Sequence, residues 1–391
     1  MNKHRIGRML TSSLLLAALL LSFSTAPAFA AGGADTTFSG DGLAKFGTLE
    51  SAPEVLVDSL NRVYVGGVVV AGKPFAGTAL LIRYKANGGL DTSFSGDGKI
   101  YLNARGPVLG LEFVGTNVLV LMEDRLASIK PSGAFNSAFD LDGQALLEIP
   151  MGGWENDPLA VGNGFIYVLR RSGDETFVDQ YAGGGMQRSY RLPIDHARAI
   201  TVHDQTLYAA GLDVTTEWPG SRAVVTSLSL PSLTLNTGFG GGTAYGSLGS
   251  RAEDVLVSPG SLKVTIVGMM YTCPGDDCSS YYAGWAMRFL SNGSPDTFYD
   301  DDGEADLVGA ADHVIATTMQ SGGRVVIGFR YSHAEWGFGV RRLTSSGQVD
   351  PSFQVPDFHT LPRTLLDDIT TSHGGSRLVV VGRQYTVRYL G

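Results

Sequence analysis

Cysteine is nearly missing from this sequence: of 391 residues only Cys273 and Cys278 carry a thiol. No second Cys or His pair stands at ligand spacing from them, so a metal site has little behind it. Positive charge is also in short supply, with 29 Lys and Arg against 38 Asp and Glu and a formal net charge of −9. Such a chain has no electrostatic ground for binding nucleic acid or an anionic membrane. No 3.6-residue apolar stripe is long enough for a helix. Long apolar runs are limited to one, roughly Leu10 to Phe23, so no membrane insertion is expected of the rest. Catalytic signatures are absent: there is no G-x-S-x-G, H-E-x-x-H or P-loop pattern, and His196, His203, His313, His333, His359 and His373 are isolated. No cofactor is implied, and whether the chain is an enzyme stays open.

The single apolar run has a clear context. Lys3, Arg5 and Arg8 precede it, and Ala28-Phe29-Ala30 follows as an A-x-A pattern before Ala31. Residues 1–30 therefore read as a secretory signal peptide cleaved after Ala30, with 31–391 as the mature, secreted or periplasmic protein. The competing reading, a membrane anchor, needs a longer run. Loss of the three leader cations takes the net charge from −9 to −12. In an exported chain, "TCPGDDCSS" reads as a small disulfide loop between Cys273 and Cys278, with Pro274 and Gly275 supplying turn chemistry.

What the chain has in abundance is a repeated phrase. "GGADTTFSGDGLAKF" (32–46), "GGLDTSFSGDGKIYL" (88–102) and "GSPDTFYDDDGEADL" (293–307) share an acidic residue followed three positions later by an aromatic. The full series is Asp35/Phe38, Asp91/Phe94, Asn136/Phe139, Gln187/Tyr190, Asn236/Phe239, Asp296/Tyr299 and Asp350/Phe353, with aromatic spacings of 56, 45, 51, 49, 60 and 54. A period near 50 means a propeller or solenoid. Four short alternating strands separate successive copies, which is the content of a propeller blade. Second strands start near Val63, Val118, Ile166, Leu207, Val264, Val325 and Leu378, giving seven blades. The C-terminal "QYTVRYLG" lacks a fourth strand and the N-terminal motif lacks the first three. The expected fold is thus all-β: a seven-bladed β-propeller of four-stranded antiparallel blades, closed by N- and C-terminal strands in one blade, which removes open sheet edges. The motif Asp is expected to cap an Asx-type turn, the aromatic to pack between blades, and Asp97-Gly98 to turn into the outer strand.

Units ending in R-[YFL]-x-x-x-G-x-x-D-x-S-F resemble the delta-60 repeat family. The matching stretches are "IRYKANGGLDTSF" (82–94), "MRFLSNGSPDTFY" (287–299) and "VRRLTSSGQVDPSF" (340–353). The resemblance spans nearly all of the mature chain. It implies a β-propeller and, the family being of unknown function, no catalytic residues. Residues 140–240 depart from the pattern: Asp becomes Asn or Gln, and the Arg is lost.

In such a ring, ligands sit at the end where the inner strands begin. Glu54, Asp157, Arg198, Asp254, His313 and Asp368 precede the inner strands, with Asp195, His196, Glu253, Asp312 and Asp367 adjacent. They form either a polar rim that solvates the channel mouth or a convergent site with shifted pKa values. The loops of the same end are aromatic in the second half: Trp218, then Tyr271, Tyr281 and Tyr282, then Tyr331, His333 and Trp336. Aromatics beside carboxylates suit a carbohydrate, a peptide or a protein ligand. Trp285 and Trp336 read equally well as packing between blades. The ligand-binding set expected from sequence is Trp218, Tyr271, Tyr281, Tyr331, His333, Arg198, Asp254 and His313. Two functions follow: a non-enzymatic secreted binding or scaffold propeller, or a polysaccharide lyase or hydrolase in which a rim carboxylate or His acts as base and Arg198 neutralises a uronate. The acidic run Asp300-Asp301-Asp302-Gly303-Glu304 lacks the alternating spacing of a calcium loop and reads as a charged version of the repeat turn.

Overall fold

A computed structural model describes residues 33–47, 49–73, 75–147, 156–214, 221–272, 281–307, 313–330, 338–353, 355, 366–372, 375–382 and 385–391, without the side chains of 50–53, 271, 272, 281 and 282. The strands fall into seven antiparallel sheets. Blade 1 runs Leu49–Val57, Val63–Val69, Thr78–Tyr84, Lys99–Arg105. Blade 2 runs Val108–Val114, Asn117–Met122, Arg125–Ile129, Gln144–Leu146. Blade 3 runs Leu159–Gly162, Phe165–Ser172, Glu175–Ala182, Gly185–Arg191. In blade 4, His196–His203, Thr206–Asp213 and Arg222–Ser229 are followed by a split outer edge, Thr234–Leu235 and Thr243–Leu248. Blade 5 comprises Ser250–Val257, Val264–Thr272, Tyr281–Phe289 and Glu304–Asp306. Blade 6 shows His313–Gln320, Arg324–Arg330 and Phe338–Leu343 among the described residues. Blade 7 joins Leu366–Thr371, Arg377–Gly382 and Tyr385–Leu390 to the N-terminal strand Leu43–Lys45, through Leu43↔Val387, Ala44↔Thr386 and Lys45↔Tyr385. The seven-bladed ring closed by both ends of the chain is as the repeat count predicts.

The core is seven apolar clusters, one at each interface between neighbouring blades. This is why the middle strands read as unbroken hydrophobic runs: both faces are covered. Along Val63–Val69, Val63 and Val65 pack toward blade 7 while Tyr64 between them packs toward blade 2.

The repeated phrase builds the joints. Asp91 accepts the Ser93 backbone N–H at 3.2 Å and its hydroxyl at 2.7 Å, an Asx turn, and Asp35 does the same with Thr37. The motif aromatics Phe38, Phe94, Phe239 and Tyr299 are fully buried. The residue after the aromatic has positive φ (Ser39 55°, Ser95 54°, Asp300 48°) and donates its N–H to the next blade: Ser39 to Asn87 O, Ser95 to Ser132 O, Asp300 to Ser346 O. A glycine follows each acceptor and leaves room for the approach, since a Cβ on Gly133 would lie 2.5 Å from Ser95 N.

Beneath each full motif lies a buried ion pair. Arg83 meets Asp91 at 2.8 Å, Arg288 meets Asp296 at 2.7 Å, Arg342 meets Asp350 at 2.9 Å and Arg388 meets Asp35 at 2.8 Å. Each guanidinium lies over the motif aromatic, 4.2–4.7 Å from the ring centre. Arg83 and Arg388 also donate across the interface, at 2.6 Å, to Pro131 O and Ala86 O. The divergent blades change both partners together. Blade 2 pairs Asn136 with Ser128 at 3.3 Å, and blade 4 pairs Asn236 with Ser227 at 3.2 Å. In blade 3, Gln180 takes the arginine's place and donates to Pro231 O of blade 4 at 3.1 Å. The expected motif copy Gln187/Tyr190 forms no such turn. Both residues lie in the outer strand Gly185–Arg191, reached through a tight hairpin at Gly183 (φ 54°) and Gly184 (φ 90°).

Candidate functional site

Six of the seven inner strands, all but that of blade 3, share one irregularity. The register with the second strand slips at Val108/Gly110, Ala197/Ala199, Ala252/Asp254, Val314/Ala316 and Leu366/Asp368, and in blade 1 between Ser51 and Glu54. A β-bulge re-aims the side chains on either side of it. Here the bulges gather acidic residues at the channel.

A cavity of about 260 Å³ opens there, and its acidic lining is Glu54, Glu112, Asp157, Asp254, Asp367 and Asp368. No Lys, Arg or His lines it among the described residues. Two of the carboxylates lock neighbouring blades together. Asp368 Oδ2 accepts the Val55 N–H of blade 1 at 2.7 Å while Oδ1 accepts Ile369 N–H at 2.6 Å. Asp254 Oδ2 accepts the Thr317 hydroxyl of blade 6, and Oδ1 accepts Val255 N–H at 2.6 Å. Glu112 Oε2 accepts Phe113 N–H at 3.2 Å.

Burial and mutual repulsion raise the proton affinity of this ring. Asp254 is pushed up to about 6 and Glu112 to about 7, both chiefly by loss of water. Asp368 is pushed up to about 8, first by burial and then by the charge of Asp254. Burial also drives Glu54 well above the carboxylate range, with Asp368, Asp157 and Glu112 adding repulsion. The same holds for Asp157, facing Asp254, Glu112 and Asp368. Glu54, Glu112, Asp157, Asp254 and Asp368 thus take up protons more readily than free carboxyls, and a positive charge placed among them would be favoured.

Beside the cavity lies a separate knot. Glu253, 3% exposed, meets Arg251 Nε at 2.6 Å and Arg198 Nε at 3.4 Å, and accepts Asn156 Nδ2–H at 2.8 Å. It spans blades 3, 4 and 5.

Of the sequence-predicted rim, Glu54, Asp157, Asp254, Asp367 and Asp368 converge on the cavity. Arg198 and Glu253 pair with each other instead. His196 and His313 lie at the starts of their strands, half-buried and outside the cavity lining. Burial and the nearby Arg171 lower the pKa of His196. Glu112 escaped the sequence reading because it sits beyond the bulge, inside "VLGLEFV"; an acid interrupting an apolar strand was its signal. Arg251 and Asn156 had no comparable mark. Trp218, Tyr331, His333, Trp336, Cys273, Cys278 and Asp312 lie outside the described residues. Tyr271, Tyr281 and Tyr282 are placed by backbone only, Tyr271 opposite Tyr282 at the end of the same ribbon in blade 5. Trp285 is fully buried, its Nε1–H donating to Glu304 at 3.0 Å, so it serves packing. In the acidic turn, Asp302 Oδ1 accepts Glu304 N–H at 2.8 Å, as Asp97 accepts Lys99 N–H at 3.0 Å; it is the repeat turn. No three acidic, His or Cys side chains are placed closely enough to hold one metal ion among the described residues, and no described helix is long and apolar enough to cross a membrane.

No family model matches the chain, and no curated protein matches it in sequence. The delta-60 resemblance therefore rests on the quoted motif stretches alone. Solved structures do resemble it. The β-propeller domain of Myceliophteria thermophila Cps50 (Swd1) aligns over 89% of this chain and 99% of its own, with TM-score 0.53 and 9% identity. The Pan2 WD40 domain of Neurospora crassa covers 87% and 88%, with TM-score 0.51 and 10% identity. Hydrazine synthase of Kuenenia stuttgartiensis covers 88% and 96%, with TM-score 0.60 and 11% identity. At these identities the likeness is one of fold, and the fold is a WD40-like seven-bladed β-propeller.

Proposed function

We propose that this protein is a non-enzymatic binding propeller, exported by residues 1–30, that holds a peptide or protein ligand over the channel mouth. The observation that carries this reading is the acid-lined cavity: six carboxylates from five blades, with no Lys, Arg or His in the lining among the described residues. A basic side chain entering there would offset the burial and the mutual repulsion that together raise the pKa values of Glu54, Asp157 and Asp368. The aromatic loops that the sequence places at the same end, with Trp218 and Tyr331, would supply apolar contact around it. Variable loops on a rigid scaffold are the usual seat of recognition. A polysaccharide-cleaving site is less well served: Arg198, the candidate for a uronate, is paired with Glu253 at 3.4 Å, and the cavity lining offers no histidine base among the described residues.

The test is a peptide and glycan array probed with the mature chain. Lys- or Arg-containing peptides should be retained. Alanine at Trp218 plus Tyr331 should weaken them by at least ~2 kcal/mol, whereas alanine at Asp301 plus Asp302 should leave them nearly unchanged. Retention of neutral glycans only, or the reverse ranking of the two double variants, would sink this reading.

A further inference from the structure

The interface between blades 2 and 3 contains a second cavity, of about 180 Å³. Its position is defined by the repeat. Ser128 stands where blade 1 has Arg83, Asn136 where it has Asp91, Ala138 where it has Ser93, and Phe139 where it has Phe94. Leu119 replaces Tyr64, and Gly183 of blade 3 occupies the turn position whose carbonyl, at Pro131 or Ala86, accepts an arginine N–H in other blades. All six residues line the cavity. The space is the guanidinium socket of the other joints, emptied by the change of Arg to Ser.

The remaining divergent joints keep a large polar side chain beside theirs. In blade 3, Gln180 bridges to Pro231 O. In blade 4, Tyr208 lies edge-on to Phe239, ring centres 5.6 Å apart, with its hydroxyl against Ser227. Blade 2 has Leu119 at the Tyr208 position, too short to do this.

We propose that this socket is a binding site for a small, uncharged, planar molecule bearing N–H donors at its edge, of the aromatic carboxamide class. Three features select it. The planar guanidiniums of blades 1, 5, 6 and 7 lie over the motif ring, 4.2–4.7 Å from its centre, and Phe139 stands at the same position. The edge acceptors persist in Asn136, Ser128 and the turn at Gly183. The charge does not: among the described residues no Asp, Glu, Lys, Arg or His lines the cavity, so a buried cation would go unpaired. In size, an apolar cavity of roughly 150 Å³ accepts a benzene ring.

The test uses benzamide and its cationic analogue benzamidinium with the mature protein, read by ligand-observed NMR and by thermal shift. Benzamide should bind the wild type, at least ~10-fold more tightly than benzamidinium. Ser128→Arg/Asn136→Asp restores the bridge found in blade 1 and should reduce benzamide affinity at least ~10-fold while raising the melting temperature. Should that variant fail to fold, Ala138→Leu, at an exposed position on the cavity wall, should weaken benzamide in the same way. No binding of benzamide at millimolar concentration would overturn the proposal and leave a packing defect. So would equal affinity in the filled or plugged variant, or preference for benzamidinium.

Discussion

Replacing Asp91 by Asn in blade 1 isolates what the Arg–Asp joint contributes. Arg83 is 1% exposed and Asp91 4%, and the pair is closed by the 2.8 Å contact between Nε and Oδ2. Arg83 also donates to Ser93 Oγ at 2.9 Å and to Pro131 O at 2.6 Å, so it stays in place when Asp91 is changed. The carboxamide keeps an acceptor for Ser93 and loses the charge, leaving a guanidinium buried without its counter-ion. Breaking a buried pair from one side costs about 3–5 kcal/mol. Arg83→Ser should cost a similar amount, now with an orphaned carboxylate. The double change Arg83→Ser/Asp91→Asn installs the Ser–Asn pair of blades 2 and 4, so its cost should fall short of the sum by about 2–3 kcal/mol. The four proteins are compared by urea unfolding, followed through the fluorescence of buried Trp285. Additivity within ~0.5 kcal/mol would refute the claim that the two residues change as one unit. A loss below ~1 kcal/mol for Asp91→Asn would show that the bridge behaves like a surface pair.

Stability should depend on pH in two opposing ways. Glu112 has its folded pKa raised to about 7, above its unfolded value, so the folded state holds its proton more tightly. Its contribution is full below about pH 4 and is lost as pH rises through 7. Glu112→Gln should therefore be more stable than the parent at pH 8, by on the order of 1 kcal/mol, and similar at pH 4, by urea titration at each pH. At Asp35, Asp91, Asp296 and Asp350 burial pushes upward but is outweighed by hydrogen bonds and arginines, and the folded pKa is lowered; their contribution is present at neutral pH and lost on acidification. Cys273 and Cys278 should be joined in natively exported protein, and mass spectrometry of unreduced material that finds two alkylatable thiols would refute it. Reduction should hardly move the melting temperature, because so short a loop contributes roughly 2 kcal/mol at most.

The ring was legible because a propeller writes its joints in local chemistry. An Asx turn and an aromatic recur at six of the seven hand-overs between blades, with a D-G turn at four of them, and their period counts the blades. Residues Gln187 and Tyr190 fit that spacing without the chemistry, since a two-glycine hairpin can replace the motif turn outright. The Arg of the motif was visible, but its coupling to the Asp was not: that Ser128 answers Asn136, and Ser227 answers Asn236, emerges only when the third strand lies beside the turn. The channel was half legible. Acids ahead of each inner strand marked the rim, while the bulge decided which of two neighbours faces the cavity. Thus Asp254 lines it, and Glu253 turns aside to two arginines.

The closing blade also sets a schedule. Asp35 and Arg388 are 353 positions apart, yet they share a buried bond. Every other joint can form as soon as the next blade emerges from synthesis or translocation. This one must wait for the final strand, with Phe38 and Phe46 held out of their cluster meanwhile. Bringing such distant ends together costs about 3 kcal/mol more than closing a ten-residue loop, on logarithmic scaling. Completion of the ring is thus the slow, late step, and a chain cut short near Tyr385 would display an unpaired strand at each end for a chaperone or protease to find.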